Sequence, residues 1–188
     1  MKQGRLIIIS APSGTGKTSV IQRFLVKHPN MIHSVSCTTR PQRITETNGK
    51  DYHFIDAATF QKWIQEGKLA EWADVHNYRY GTPKEPLDEA LSIGKNVLLD
   101  LDVVGGMNLK KMYQDRAVSV FLIPPDIEEL KRRLFQRGTD SPEQQEIRLK
   151  NAMKEMTVKN QYDYQVVNDI LDRACGEIEK ILGIYADA

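Results

Sequence analysis

A lysine and a threonine behind two closely spaced glycines are the residues of this chain best suited to chemistry. Gly16-Lys17-Thr18 fits the end of the phosphate-loop pattern G-x-x-x-x-G-K-[ST], with Gly14 inside it and Ala11 at the first glycine position. In such a loop, backbone N–H groups surround phosphate oxygens, the lysine reaches the β- and γ-phosphates and the hydroxyl ligates Mg²⁺. The pattern predicts a nucleotide site; the alternative is a tight turn in an ordinary α/β domain.

A second group of anion-binding side chains lies between Ser36 and Arg43. Arg40 and Arg43 each present a planar fork that matches phosphate oxygens, and the neighbouring hydroxyls can add hydrogen bonds. This segment predicts a second phosphate site. The alternative is a solvated basic loop, because such clusters are common on protein surfaces.

Carboxylates and further arginines follow later in the chain. The apolar run Val97–Asp102 predicts a buried strand that ends in Asp100 and Asp102, where a carboxylate could hold Mg²⁺ or its waters. Between Lys131 and Arg148 the chain is dense in arginine, and residues 138–142 interrupt the helical pattern. Two helices with a joint suit a closing lid; a solvated helix face is the alternative.

Apolar spacing predicts the elements that must position these residues. A β-branched run before the loop and a helical pattern from about Lys17 indicate strand, loop and helix. Asn48-Gly49 predicts an antiparallel hairpin, in a small, mostly antiparallel insertion. The other predicted strands cover 32–36, 69–75, 97–102, 117–123 and 166–169, and the other predicted helices cover 57–66, 86–93, a segment that Asp126 caps, and 171–184.

Composition limits the class of protein. A chain of 188 residues with 40% hydrophobic and 27% charged residues suits one domain with insertions. A net charge of +1 argues against a dedicated nucleic-acid or membrane-surface binder. Without a signal-like segment or a run of about 20 apolar residues, we expect a cytoplasmic protein. Cys37 and Cys175 are expected to be reduced, structural thiols.

Taken together, these motifs resemble those of the guanylate kinases over nearly the whole chain. The resemblance is carried by Ala11-Pro12-Ser13-Gly14-Thr15-Gly16-Lys17-Thr18, Ser36-Cys37-Thr38-Thr39-Arg40 with Arg43, Asn48-Gly49-Lys50-Asp51-Tyr52, Leu69-Ala70-Glu71-Trp72-Ala73, Asn77-Tyr78-Arg79-Tyr80-Gly81-Thr82, Leu99-Asp100-Leu101-Asp102, 133–138 and Val167-Asn168-Asp169. It implies an α/β fold, in which a P-loop three-layer core with a central parallel sheet carries an inserted mixed or antiparallel GMP-binding subdomain and a helical lid. The implied bounds are 1–35, 83–124 and 158–188 for the core, 36–82 for the subdomain and 125–157 for the lid.

The resemblance also implies transfer of the γ-phosphoryl group of ATP to GMP, with Mg²⁺. By analogy, ATP would be bound by Ala11, Pro12, Ser13, Gly14, Thr15, Gly16, Lys17, Thr18, Asn168 and Asp169. The GMP phosphate would be bound by Ser36, Arg40, Arg43, Tyr52 and Tyr80, and guanine by Glu71, Thr82 and Asp100. The catalytic candidates are Lys17, Arg40, Arg133, Arg137 and Arg148. The metal candidates are Thr18 and, either directly or through water, Asp102. The oligomeric state stays open.

Three residues depart from the guanylate kinase pattern, and two other functions compete with the kinase function. Gln42 stands where proline is usual and Thr45 where glycine is common, so both are expected to alter only the stiffness of their loop. Val104 replaces a usual glutamine, which puts in doubt a polar contact of that amide near the nucleotides. Asp102–Gly105 matches the D-x-x-G of GTP-hydrolysing proteins, but a guanine motif after a strand is missing. A non-catalytic guanylate-kinase-like module that binds a phosphopeptide is the other rival; the intact Lys17 favours an enzyme.

Overall fold

The computed structural model describes residues 4–75, 77–136 and 141–183. Its main sheet has five parallel strands in the order β2-β7-β1-β8-β9, with β1 (Leu6–Ser10) in the centre. The other four are β2 (Ile32–His33), β7 (Val97–Asp100), β8 (Ala117–Ile123) and β9 (Tyr164–Val167). All five residues of β1 are buried, as expected for a strand that helices cover on both faces.

Alternate residues of β1 face two different cores. Ile7 and Ile9 pack with residues of α1 (Lys17–Lys27) and α7 (Leu171–Leu182), including Phe24 and Ile178. Leu6 and Ile8 belong to the opposite core, formed with α3 (Lys84–Ser92) and α4 (Val103–Tyr113). The result is the predicted three-layer core, with β1 delivering the phosphate loop at the carboxyl edge of the sheet.

A second sheet of four strands, in the order β4-β3-β6-β5, stands beside this core. It contains β3 (Cys37–Thr38), β4 (His53–Phe54), β5 (Leu69–Val75) and β6 (Tyr78–Pro83). The helix α2 (Ala57–Gln65) covers it with a small core of Cys37, Phe60 and Leu69. The sheet is mixed, because β5 and β6 are antiparallel while β3 and β4 are parallel.

Two helices follow β8 and pack on each other through Leu130, Leu134 and Ala152. They are α5 (Ile127–Phe135) and α6 (Pro142–Met156), and Asp126 caps α5 as predicted by accepting a hydrogen bond from the Glu129 N–H. The division of the chain into core, subdomain and lid stays a prediction.

Three local predictions need correction. The Asn48-Gly49 pair forms a turn but no antiparallel hairpin, because β4 pairs in parallel with β3 instead of returning along residues 43–45. The single strand expected over 32–36 is replaced by β2 and β3, which belong to different sheets. The helix α4 went unpredicted, although Asp102 caps it with hydrogen bonds from the N–H groups of Val104 and Gly105.

Candidate active site

The loop between β1 and α1 has the backbone that its glycines allow. Gly14 and Gly16 have φ values of 86° and 90°, in the left-handed region that favours glycine. A Cβ at Gly14 would lie 2.8 Å from the Leu134 side chain of α5, so the loop and α5 are in close contact. Ala11 is buried in the core beside α1, which explains why a small residue without glycine's freedom is accepted there.

Lys17 extends from the start of α1 toward the end of β7. Its Nζ donates a hydrogen bond to the Leu101 carbonyl at 2.8 Å and forms an ion pair with Asp100. The side chain is 21% exposed, so the ammonium group is held at the rim of the site.

Two polar side chains bind the loop from its buried side. The Asn168 Nδ2 donates to the Thr15 carbonyl at 2.7 Å, and the Arg133 Nη1 donates to the same carbonyl at 3.0 Å. Arg133 also donates to the Asn168 carbonyl and to Glu129. Asn168 follows β9 and Arg133 lies on α5, so both elements act directly on the phosphate loop.

A network around Arg40 marks the second predicted phosphate site. Its guanidinium donates to the Tyr80 hydroxyl at 3.2 Å, to the Pro41 carbonyl at 2.8 Å and to the Glu46 carboxylate at 2.7 Å. It also lies over the ring of Tyr52, 5.6 Å from the centroid. These bonds use three of the five N–H groups of the guanidinium, and two remain in the same plane for a ligand.

Glu71 is the buried carboxylate of the second sheet, with 8% of its surface exposed. The Thr82 hydroxyl donates to its Oε1 at 2.6 Å. A Cβ at Gly105 would lie 2.7 Å from its Oε2, so the N-terminal turn of α4 packs directly on the carboxylate. Burial raises the pKa of Glu71 to about 7, against the opposing effect of the Thr82 hydrogen bond.

One open cavity of about 310 Å³ lies between Lys17 of the phosphate loop and Glu71 of the second sheet. Its walls come from the phosphate loop, the second sheet and the segment after β7. The lining residues are Lys17, Thr18, Ser36, Tyr52, Glu71, Val75, Tyr80, Gly81, Asp100, Leu101 and Asp102. Predicted donor-side and acceptor-side residues therefore face the same space.

The oxygen donors of this cavity suit Mg²⁺. Thr18 and Asp102 both line it, and Asp102 uses its Oδ1 to cap α4. The described part of the chain holds no group of three or more histidine, cysteine or carboxylate side chains that could form an all-protein metal cage. Such a cage is not needed, because Mg²⁺ at phosphotransfer sites takes one or two protein oxygens together with substrate phosphates and waters.

The remaining predicted residues lie away from the cavity wall or outside the described ranges. The Arg43 side chain is 71% exposed, and Asp169 pairs with Arg173. Arg148 lies half-buried on α6, and Arg137 lies outside the described residues. Val104, the departure that put a contact in doubt, is exposed on α4 and does not line the cavity.

Glu46 is a residue near the predicted phosphate site that sequence reasoning missed. Its carboxylate accepts from Arg40 and, at 2.9 Å, from the backbone N–H of Arg43. The available signal was an acidic residue three positions after one predicted phosphate-binding arginine and six after another. Gly105 was missed as well, and only its proximity to Glu71 in space reveals it.

A parallel sheet with a phosphate loop after its central strand, together with a second sheet that closes a polar cavity over the loop, defines a P-loop kinase of nucleoside monophosphates. The family model for guanylate kinase matches residues 3–185. The chain belongs to the guanylate kinase family.

Named relatives agree with this assignment. The guanylate kinase of Zymomonas mobilis is 42% identical over 183 residues, covering 97% of this chain and 85% of the relative. The guanylate kinase of Bacteroides thetaiotaomicron is 46% identical over 180 residues, covering 95% and 88%. The crystal structure of guanylate kinase from Anaplasma phagocytophilum superposes with a TM-score of 0.81 at 32% identity, covering 97% of this chain and 86% of that one.

The family assignment decides between the rivals raised by the sequence. The chain is an enzyme, an ATP-dependent nucleoside monophosphate kinase with guanylate kinase function, and the non-catalytic phosphopeptide-binding alternative is set aside. In the ranges that the structure covers, no helix combines the length and the apolar character needed to cross a membrane.

Proposed function

We propose that this chain transfers the γ-phosphoryl group of ATP to the phosphate of GMP inside the cavity between its two sheets, giving ADP and GDP. The observation that carries the proposal is the lining of that cavity. One cavity is lined by Lys17 and Thr18 of the phosphate loop and, on the side of the second sheet, by Tyr52, Glu71 and Tyr80. We call the loop at residues 11–18, together with the side chains that contact it, the donor side of the cavity. Residues 36–82 and Asp100 form the acceptor side.

On the donor side, the triphosphate of ATP is proposed to lie in the loop from Ala11 to Thr18. The N–H groups at the start of α1 and the positive end of its dipole favour an anion there. Lys17, already held at the rim by Leu101 and Asp100, would move onto the β- and γ-phosphates. Asn168 and Asp169 are the proposed contacts near adenine.

On the acceptor side, the GMP phosphate is proposed to bind Ser36, Arg40, Arg43, Tyr52 and Tyr80. Arg40 supports this role best, because its fork is fixed at three nitrogens and keeps two N–H groups for phosphate oxygens. Arg43 is exposed, so its contribution requires the side chain to turn inward when GMP binds.

Guanine recognition is proposed for Glu71, Thr82 and Asp100. Guanine presents N1–H and an exocyclic NH₂ side by side, and an ionised Glu71 can accept from both. Adenine has no proton on N1, so bound AMP would leave a buried carboxylate facing an acceptor. A site built on such pairing can discriminate by as much as about 10⁴.

Catalysis requires in-line positioning and neutralisation of charge on the transferred group, with little covalent chemistry from the protein. Lys17, Arg40, Arg133, Arg137 and Arg148 are the proposed cationic groups. Mg²⁺, held by Thr18 and Asp102, would supply further charge neutralisation and orientation of the donor phosphates. No general base is required, because the phosphate of GMP is already ionised near neutral pH.

Closure is proposed to exclude water from the assembled site. Residues 36–82 and the lid at 125–157 would move toward the core, since an open site would hydrolyse ATP. The cytoplasmic location and the absence of nucleic-acid and membrane partners remain sequence-based parts of the proposal.

The test is an acceptor panel in a coupled assay of ADP release, with GMP, dGMP, AMP and UMP measured on the wild-type chain and on Glu71→Gln. We expect GMP to be the preferred acceptor by about 10³-fold or more over AMP. Glu71→Gln should lower kcat/KM for GMP by about 10²-fold or more, because the glutamine amide turns a donor toward guanine's own donors.

An equal rate with AMP on the wild-type chain would overturn the proposal. Retained GMP preference in Glu71→Gln would overturn only the role given to that residue. Glu85→Gln, an exposed carboxylate on α3, is the matched control and should leave kcat/KM for each acceptor unchanged.

A further inference from the structure

Two side chains hold a backbone carbonyl of the donor side. The Thr15 carbonyl accepts from Asn168 Nδ2 at 2.7 Å and from Arg133 Nη1 at 3.0 Å. A carbonyl oxygen has two lone pairs, so these two donors satisfy it fully. Because a carbonyl cannot donate, only the amide nitrogen of Asn168 can make this contact.

This carbonyl determines where the next N–H points. Thr15 C=O and Gly16 N–H belong to one planar trans peptide, in which the two bonds point in opposite directions. With the carbonyl held toward Asn168 and Arg133, the Gly16 N–H points away from them. Lys17 and Thr18, the next two residues, line the cavity.

The fit between Asn168 and Gly16 is mutual. A Cβ at Gly16 would lie 2.7 Å from Asn168 Nδ2, so only glycine lets the amide come this close. Asn168 is 6% exposed, and Arg133 is itself held by Glu129 at 2.7 Å. The Asn168 side chain that braces the peptide is therefore buried, and the Arg133 side chain is held in place by a residue of its own helix, α5.

We infer that Asn168 and Arg133 are positioning residues that fix the Thr15–Gly16 peptide with its N–H toward the donor phosphates. The inference rests on the proposed function, and it gives Asn168 a role in triphosphate binding that does not depend on the base. A residue that contacted adenine would affect ATP alone. A residue that orients the loop affects every ligand that places a phosphate there.

The test uses inorganic tripolyphosphate, a triphosphate that carries no base, as a competitive inhibitor against ATP. The variant Asn168→Ala should raise the inhibition constant of Mg²⁺–tripolyphosphate and the KM for ATP by the same factor, about tenfold. The dissociation constant of GMP, measured by calorimetry without ATP, should stay within twofold because the acceptor side is untouched.

Three results would overturn the inference. A raised KM for ATP with unchanged tripolyphosphate inhibition would assign Asn168 to the base. Unchanged values for both would remove the bracing role, and an equal loss of GMP binding would indicate a general structural defect. If the wild-type chain transferred no phosphoryl group to GMP, the proposed function would fail instead, whereas direct binding of Mg²⁺–tripolyphosphate, measured by calorimetry on wild type and Asn168→Ala, would still test the bracing.

Two further variants keep the result interpretable. Asn168→Asp has the same shape and can accept from Arg133 in place of donating to Thr15, so it preserves packing if the alanine variant does not fold. It should weaken tripolyphosphate and ATP together, by at least the same factor. Asn160→Ala removes an exposed asparagine whose side-chain oxygen accepts a hydrogen bond from Gln165, and it should leave all three constants unchanged.

Discussion

The donor side of the cavity offers mainly backbone, whereas the acceptor side offers mainly side chains. The donor loop leaves the central strand of a five-stranded sheet with a core on each face, and the Asn168 and Arg133 side chains brace it by donating to its Thr15 carbonyl. The acceptor side stands on a sheet whose core contains Cys37, Phe60 and Leu69, and two of its strands have two residues each.

This difference explains why hydrogen bonds to charged groups fix the proposed ligand-binding side chains of the acceptor side, whereas on the donor side Arg133, held by Glu129, braces a backbone carbonyl. A small core provides little packing to fix long side chains. Glu46 holds Arg40, and Thr82 holds Glu71, so hydrogen bonds to charged groups replace the packing that fixes the donor loop. We therefore expect the donor side to respond mainly to changes of shape, and the acceptor side to changes of charge and pH.

The largest expected effect concerns Lys17, the one charged residue of the donor loop itself, where a change of charge and not of shape should matter most. Lys17→Ala should lower kcat by about 10²- to 10³-fold, because charge developing on the transferred group loses a preorganised donor. GMP binding, measured by calorimetry, should change far less. Lys111→Ala, exposed on α4, is the control, and a kcat of the Lys17 variant within threefold of wild type would refute its catalytic role.

A smaller effect concerns the pH dependence of stability on the acceptor side. Burial raises the pKa of Glu71 from 4.5 to about 7, so between these values the folded chain holds a proton that the unfolded chain has lost. The free energy of unfolding should therefore fall as pH rises through this window, by up to about 3 kcal/mol, and level off above it.

Urea unfolding of wild type and Glu71→Gln at pH 5, 6, 7 and 8 measures this contribution. The glutamine does not titrate, so subtracting its curve removes the contribution of every other group. Parallel curves for the two proteins would mean that Glu71 ionises in the folded chain as it does in water.

The smallest expected effect concerns Glu46 and should be confined to the acceptor side. Glu46→Ala should raise the KM for GMP by about tenfold and leave the KM for ATP unchanged, because Arg40 loses a charged partner that orients it. Glu46→Gln keeps an oxygen that accepts from Arg40, so its KM for GMP should lie between wild type and alanine. An equal rise for both nucleotides would argue against a role confined to the acceptor side.

Much of the main sheet was predictable because its signals are local. A buried parallel strand is a continuous apolar run, and β1, β7 and β8 each show one. The start of α1 follows from the loop pattern, and Asp126 carries the cap signal of α5. None of these elements needs a distant partner to be read from the sequence.

The errors lie where pairing is decided by distant residues. Asn48-Gly49 favours a turn, but the direction in which β4 then pairs depends on β3, which the packing of the second sheet positions. The helix α4 contains Gly105 and Gly106, which lower helix propensity and hide a correct N-cap at Asp102. The space that Gly105 leaves for Glu71 exists only once both sheets are in place.

The residue types of the proposed site come from sequence patterns, whereas the connections between them come only from the structure. Phosphate loop, arginines and Glu71 can each be recognised from the sequence. The bonds of Glu46 to Arg40 and of Asn168 to Thr15 require a backbone path that local patterns do not contain.

The bond between Asn168 and Thr15 also joins residues 153 positions apart. During synthesis the phosphate loop leaves the ribosome long before its partner, and β9 must dock at the edge of the sheet before Asn168 can reach the loop. The nascent chain therefore cannot brace its phosphate loop until β9 and Asn168 have been made, although the loop itself is made early.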